Sequence, residues 1–89
     1  MDKQQLEDFK NASALAAMEA RIKTAADREM AKGKDFYAEV ISTLRASAVP
    51  RTEIDTLTAA IAASTDKNRA LARVLTTTSS LASALAKLL

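Results

Sequence analysis

Apolar residues recur along the first half of the chain with the period of a helix. Every step in this stripe is three or four residues, which places its members on one helix face. Leu6 and Phe9 begin the stripe, and Phe36 and Ile41 widen it near its end. The pattern predicts one helix from about residue 3 to residue 47. The stripe itself consists of Leu15, Met18, Ile22, Ala26, Met30, Gly33, Tyr37, Val40, Leu44 and Ala48.

A glycine and an aspartate interrupt this helix in residues 33–35. Gly33 costs about 1 kcal/mol relative to alanine inside a helix, and Asp35 is a residue type that caps new helices. However, the apolar stripe keeps its phase across Gly33, whereas a break would usually reset it. We therefore expect a continuous helix, with a bend at residues 33–35 left open.

The second half carries a more regular pattern. Its seam alternates steps of three and four over five heptads, as in a coiled coil. The pattern predicts a second helix from about residue 53 to residue 87, and a break near Ser64 is again left open. The seam consists of Ile54, Leu57, Ile61, Ser64, Asn68, Leu71, Leu75, Thr78, Ala82, Leu85 and Leu89.

The segment between the two patterns, VPRTEID, holds the only proline of the chain. Proline disfavours the helical conformation of the residue before it, so we expect Val49 to be extended. Thr52 and Asp55 match a capping box in its acidic variant, which predicts that a new helix starts here. The segment therefore predicts a turn at residues 48–52.

These elements predict a single all-α domain, an antiparallel helical hairpin that resembles a coiled coil. Charge favours the same pairing of the two helices. Residues 1–20 carry four acidic and two basic side chains, whereas residues 67–89 carry four basic side chains and no acidic one. An antiparallel hairpin places these two segments side by side.

Polar residues at seam positions predict a buried polar layer in the hairpin. Ser64 and Asn68 lie in the second seam, and Glu29 and Tyr37 lie at about the same level of the first helix. A polar group at such a position tends to set register or oligomeric state at a cost in stability.

The apolar positions also exceed what a two-helix seam can bury. A surplus of this kind predicts an interaction surface, through which the hairpin completes a helical bundle by self-association or by binding a partner. The candidate surface consists of Phe9, Phe36, Ile41, Val74, Leu81, Leu85 and Leu88.

The amino-acid composition limits the kinds of chemistry and the kinds of partner that we expect. The chain contains no His and no Cys, so the commonest general base and the commonest transition-metal ligands are missing, and we expect no enzymatic activity, no metal and no cofactor. The basic residues are interleaved with acidic ones and lack neighbouring aromatic side chains, so a nucleic-acid partner is not favoured. No uncharged run is long enough to span a membrane.

The sequence therefore predicts a small protein–protein interaction module of the adaptor, chaperone or inhibitor type. The partner is a protein, either a second copy of the chain or a larger protein. The alternatives are a structural subunit of a helical assembly, such as a secretion-system filament, and a nucleic-acid-binding bundle. The N-terminus has no basic segment followed by an apolar core. We therefore expect a cytoplasmic location, with export without a cleavable signal left open.

Overall fold

The computed structural model describes residues 2–89 and contains five helices and no strand in that range. The predicted all-α class is confirmed. The helices are α1 (Lys3–Ala31), α2 (Phe36–Arg45), α3 (Arg51–Ala63), α4 (Lys67–Thr77) and α5 (Ser79–Ala84). No helix within residues 2–89 combines the length and the apolarity that crossing a membrane requires.

The predicted first helix is divided into α1 and α2, so its extension to residue 47 is wrong. Gly33 has φ +77°, a left-handed conformation that favours glycine. The Gly33 N–H donates to the Met30 carbonyl at 2.9 Å and the Lys34 N–H donates to the Glu29 carbonyl at 3.0 Å, which is a Schellman motif. Asp35 then caps α2, because its carboxylate accepts from the Tyr37 N–H at 3.0 Å.

The predicted second helix is also divided, first at residues 64–66 and again at Thr78. Ser64 is extended (φ −101°, ψ 142°) and ends α3. Asp66 begins α4 by accepting from the Arg69 N–H at 3.1 Å. Thr78 is extended as well and separates α4 from α5.

The connection around the single proline interrupts the helices, as predicted, but its cap differs from the prediction. α3 begins at Arg51 directly after Pro50, and no side chain caps it. Thr52 lies inside α3, so the predicted Thr52–Asp55 capping box is wrong. The reason is that Pro50 has φ −57° and ψ 138°, and its carbonyl already accepts from Glu53 and Ile54.

The helices pack around one apolar core. α1 packs mainly against α4, α3 also packs against α4, and α2 bridges α1 and α3. Five helices thus take the place of the predicted two-helix hairpin, and each of them contributes apolar side chains to the core. The core consists of Ile22, Ala25, Ala26, Phe36, Val40, Leu44, Ile54, Leu57, Ile61, Leu71, Ala72, Leu75, Leu81 and Leu85.

Candidate protein interaction surface

The longest helix, α1, contributes to the core with only part of its length. Its buried residues are Ile22, Ala25, Ala26 and Glu29, and Leu15 and Met18 pack at the edge of the core. Every residue from 3 to 14 is exposed, and we call this segment the N-terminal arm. An Asp2 capping box starts the arm, with the Asp2 carboxylate accepting from the Gln5 N–H at 2.8 Å.

The arm carries two large apolar side chains that the rest of the chain does not cover. Leu6 is 43% exposed and Phe9 is 63% exposed. Phe9 and Ile22 are thirteen residues apart, which is about 3.6 helical turns and places them on nearly opposite faces of α1. The prediction that Leu6 and Phe9 begin the buried stripe is therefore wrong, because they belong to the other face.

This opposite face has its own regular pattern. Its members follow each other in steps of three and four, and each of them is exposed. We call this set the outer stripe, and it consists of Leu6, Phe9, Ser13, Ala16 and Ala20. Large residues occupy its N-terminal end and small residues occupy its C-terminal end.

Charged side chains differ in sign between the two ends of this part of α1. Glu7 and Asp8 are close in sequence to the large residues but share the helical phase of Ala25 and Ala26, whereas Arg21 and Lys23 follow the small residues. All four are exposed. None of them forms an ion pair among residues 2–89, and only Asp8 has a side-chain hydrogen bond there, which it accepts from Gln4 at 3.0 Å.

The remaining residues of the predicted surface lie elsewhere. Phe36, Leu81 and Leu85 belong to the core, so their assignment to an exposed surface is wrong. The breaks after α1 and α4 reorient α2 and α5 and turn these side chains inwards. Ile41, Val74 and Leu88 are half-buried. The Leu88 carbonyl also accepts from Arg28 Nη2 at 2.7 Å, which fastens the C-terminal segment to α1.

Two members of the predicted polar layer meet in the structure. The Tyr37 hydroxyl donates to the Asn68 side-chain oxygen across the interface between the start of α2 and the start of α4. Lys67 Nζ lies 5.7 Å from the centre of the Tyr37 ring. Burial raises the pKa of the Tyr37 phenol, and the negative charges of Asp66 and Asp35 raise it further. The phenol therefore keeps its proton at neutral pH and remains a donor.

The other two members of that layer have different partners. Glu29 is buried at the end of α1, where Arg28 Nε lies at 3.4 Å and Lys32 Nζ at 3.7 Å from its carboxylate. Ser64 forms hydrogen bonds with the backbone of Asp66 instead. The layer thus reduces to the Tyr37–Asn68 pair, because each of the other two groups finds a partner close by in sequence.

A surface pocket of about 600 Å³ lies between the end of α1 and one side of α2, and it offers no chemically distinctive site. Its charged lining groups have mixed signs and largely pair with one another, as in the contact of 3.9 Å between Lys34 and Glu39. No group of three acidic side chains within residues 2–89 is arranged to hold a metal ion.

Comparisons with known proteins add no relative: no family model matches the chain, and neither the curated proteins nor the solved structures contain a match. The outer stripe is therefore the feature on which a functional argument depends.

Proposed function

We propose that the chain is a small non-enzymatic protein–protein interaction module of the adaptor, chaperone or inhibitor type, which binds through helix–helix packing. The observation that carries this proposal is the 63% exposure of Phe9, together with the 43% exposure of Leu6, on a helix segment that contributes no buried residue to the core. Large apolar side chains at positions i and i+3 of an exposed helix are the usual anchors of helix-mediated recognition.

The arm has no evident role in the stability of the molecule. None of its side chains is buried, so it adds little apolar burial to the fold. A single exposed apolar residue needs no explanation, but a continuous face with aromatic and aliphatic anchors is typical of a binding surface. The outer stripe therefore supports binding better than it supports folding.

The proposal is tested by photo-crosslinking in cells of the source organism. Phe9 is replaced by a photoreactive phenylalanine derivative, and the matched control carries the same derivative at Met30, which is 70% exposed on the same helix. We expect a defined protein adduct from position 9 that the control does not give. The Leu6→Glu substitution in the same chain should remove this adduct. An equal yield from both positions would contradict the proposal.

A further inference from the structure

We infer that the C-terminal segment, residues 79–89, exchanges between two copies of this chain and so forms a domain-swapped dimer. The inference concerns α5 and the break at Thr78, so it does not involve the outer stripe and goes beyond the proposed function. Two observations carry it. The first is the backbone at the break between α4 and α5, and the second is the set of contacts that hold the segment in place.

The break between α4 and α5 differs from the other breaks in the chain. Gly33 ends α1 with a positive φ, Pro50 stands directly before α3, and the Asp66 carboxylate caps α4. Thr78 instead has an ordinary extended conformation (φ −124°, ψ 94°) and forms no side-chain capping bond with α5, and residues 67–89 contain no Gly and no Pro. The packing of α5 against other helices therefore sets the bend, and no residue type at the break requires it.

A continuous helix over α4 and α5 agrees with the backbone on both sides of the break. The Thr78 N–H donates to the Val74 carbonyl at 2.9 Å, and the Thr78 carbonyl accepts from the Ala82 N–H at 3.3 Å, which is the bonding pattern of an α-helix. Within residues 2–89, the N–H groups of residues 79–81 form no such bond across the break. Straightening the chain at Thr78 would form these three bonds, so the helical pattern favours an extended α4–α5 helix once the segment leaves its site.

The apolar contacts of the C-terminal segment require that the segment be covered. Leu81 and Leu85 belong to the core and are completely buried, and α5 packs against α2 and α4. An extended α4–α5 helix would carry both leucines into water, which is unfavourable. The vacant site of a second copy accepts them with the same contacts, so a mutual exchange keeps the buried apolar surface of both chains.

Two polar contacts fix the segment in the same site. The Ser80 hydroxyl donates to the Glu53 carboxylate of α3 at 2.9 Å, and Arg28 of α1 donates to the Leu88 carbonyl at 2.7 Å. Both contacts join the segment to helices that stay behind when it leaves. They therefore form between the two chains of an exchanged dimer, and they give the incoming segment the orientation that it has in the monomer.

The first test is refolding of the purified protein at roughly 0.01 mM and at roughly 1 mM, since a tethered segment has an effective concentration of the order of millimolar. Size-exclusion chromatography with light scattering should show a dimer only after concentrated refolding. The isolated dimer should persist on dilution, because its return to monomer requires extraction of Leu81 and Leu85 from the core. Protein that stays monomeric after concentrated refolding, or a dimer that dissociates at once on dilution, would overturn the inference.

The second test uses variants at the break. Ser79→Pro suits the bent chain, because proline is favoured at the first position of a helix and follows an extended residue, but it prevents a continuous helix. This variant should keep its helical content and stay monomeric. Thr78→Ala favours the continuous helix and should raise the dimer-to-monomer ratio roughly fivefold. Phe9→Glu, the control, should leave the ratio unchanged. A Ser79→Pro dimer as abundant as that of the wild type would contradict the exchange.

The third test identifies the exchanged segment. Dimers refolded from an equal mixture of ¹³C-labelled and unlabelled chains are studied by isotope-filtered NMR. The methyl groups of Leu81 and Leu85 should show contacts with core residues of the other chain. If these contacts stay within one chain, the dimer is not formed by exchange and the inference is wrong. Because the outer stripe takes no part in the exchange, each of these outcomes leaves the photo-crosslinking test of the proposed function independent.

Discussion

The two ends of α1 have the same backbone conformation but are stabilised by different interactions. In the N-terminal arm every side chain is exposed, and the helix depends on the Asp2 capping box and on local contacts such as that between Gln4 and Asp8. The C-terminal end packs Ile22 and Ala25 into the core and closes with the Gly33 turn. Short helices without tertiary packing are marginal in water. The comparison indicates that the arm is the less strongly stabilised part of α1.

A substitution in the buried C-terminal part of α1 should give the largest loss of stability. Ile22 is completely buried, so Ile22→Asp places an unpaired charge among apolar side chains and should cost roughly 4 kcal/mol or more, which is most of the stability of a small domain. Circular dichroism should show loss of most helical signal. Phe9→Asp is the control on the same helix, and it should leave the fold intact. Equal losses in both variants would remove the distinction between the two ends.

The turn that ends α1 gives a smaller effect whose sign is diagnostic. Gly33→Ala puts a side chain at φ +77°, and the left-handed conformation should lower the free energy of unfolding by about 1–2 kcal/mol. A continuous helix through residue 33 would instead gain about 1 kcal/mol from the same substitution. Urea denaturation distinguishes the two signs. Gly33→Asn is the control, and its free energy of unfolding should fall less than that of Gly33→Ala, because asparagine tolerates this conformation better than alanine.

The same turn shows why the sequence predicted the helical class but not the helix boundaries. Steps of three and four indicate which residues face inwards, and they continue across a short connection whenever the next helix presents the same side to the core. Gly33 and Asp35 are typical stop and start signals of helices, but the unbroken phase of the stripe favours a continuous helix. Ser64 and Asp66 repeat this situation. Pro50 differs because it prevents helix continuation by itself.

The outer stripe was missed for a different reason. Its spacing is present in the sequence, but Ser13, Ala16 and Ala20 give almost no hydrophobic signal, so the pattern assigns Leu6 and Phe9 to the stronger stripe that follows them. Which face of a helix is covered depends on the packing of α4 against α1, which involves residues distant in sequence. By contrast, the sequence indicates the Tyr37–Asn68 contact, because polar residues at positions of an apolar pattern are expected to find hydrogen-bond partners when they are buried.

The smallest effect on global stability is expected from the start of the arm. Asp2→Ala removes the cap of α1 and should cost the local helix about 1 kcal/mol, yet the global free energy of unfolding should fall by less than about 0.5 kcal/mol, since the arm adds no buried side chain. The measurement combines urea denaturation with amide hydrogen exchange. Exchange should accelerate in residues 3–14 and stay unchanged around Ile22. A global loss as large as the local one would show that the arm and the packed end unfold together, and that the arm is part of the fold as well as a surface for binding.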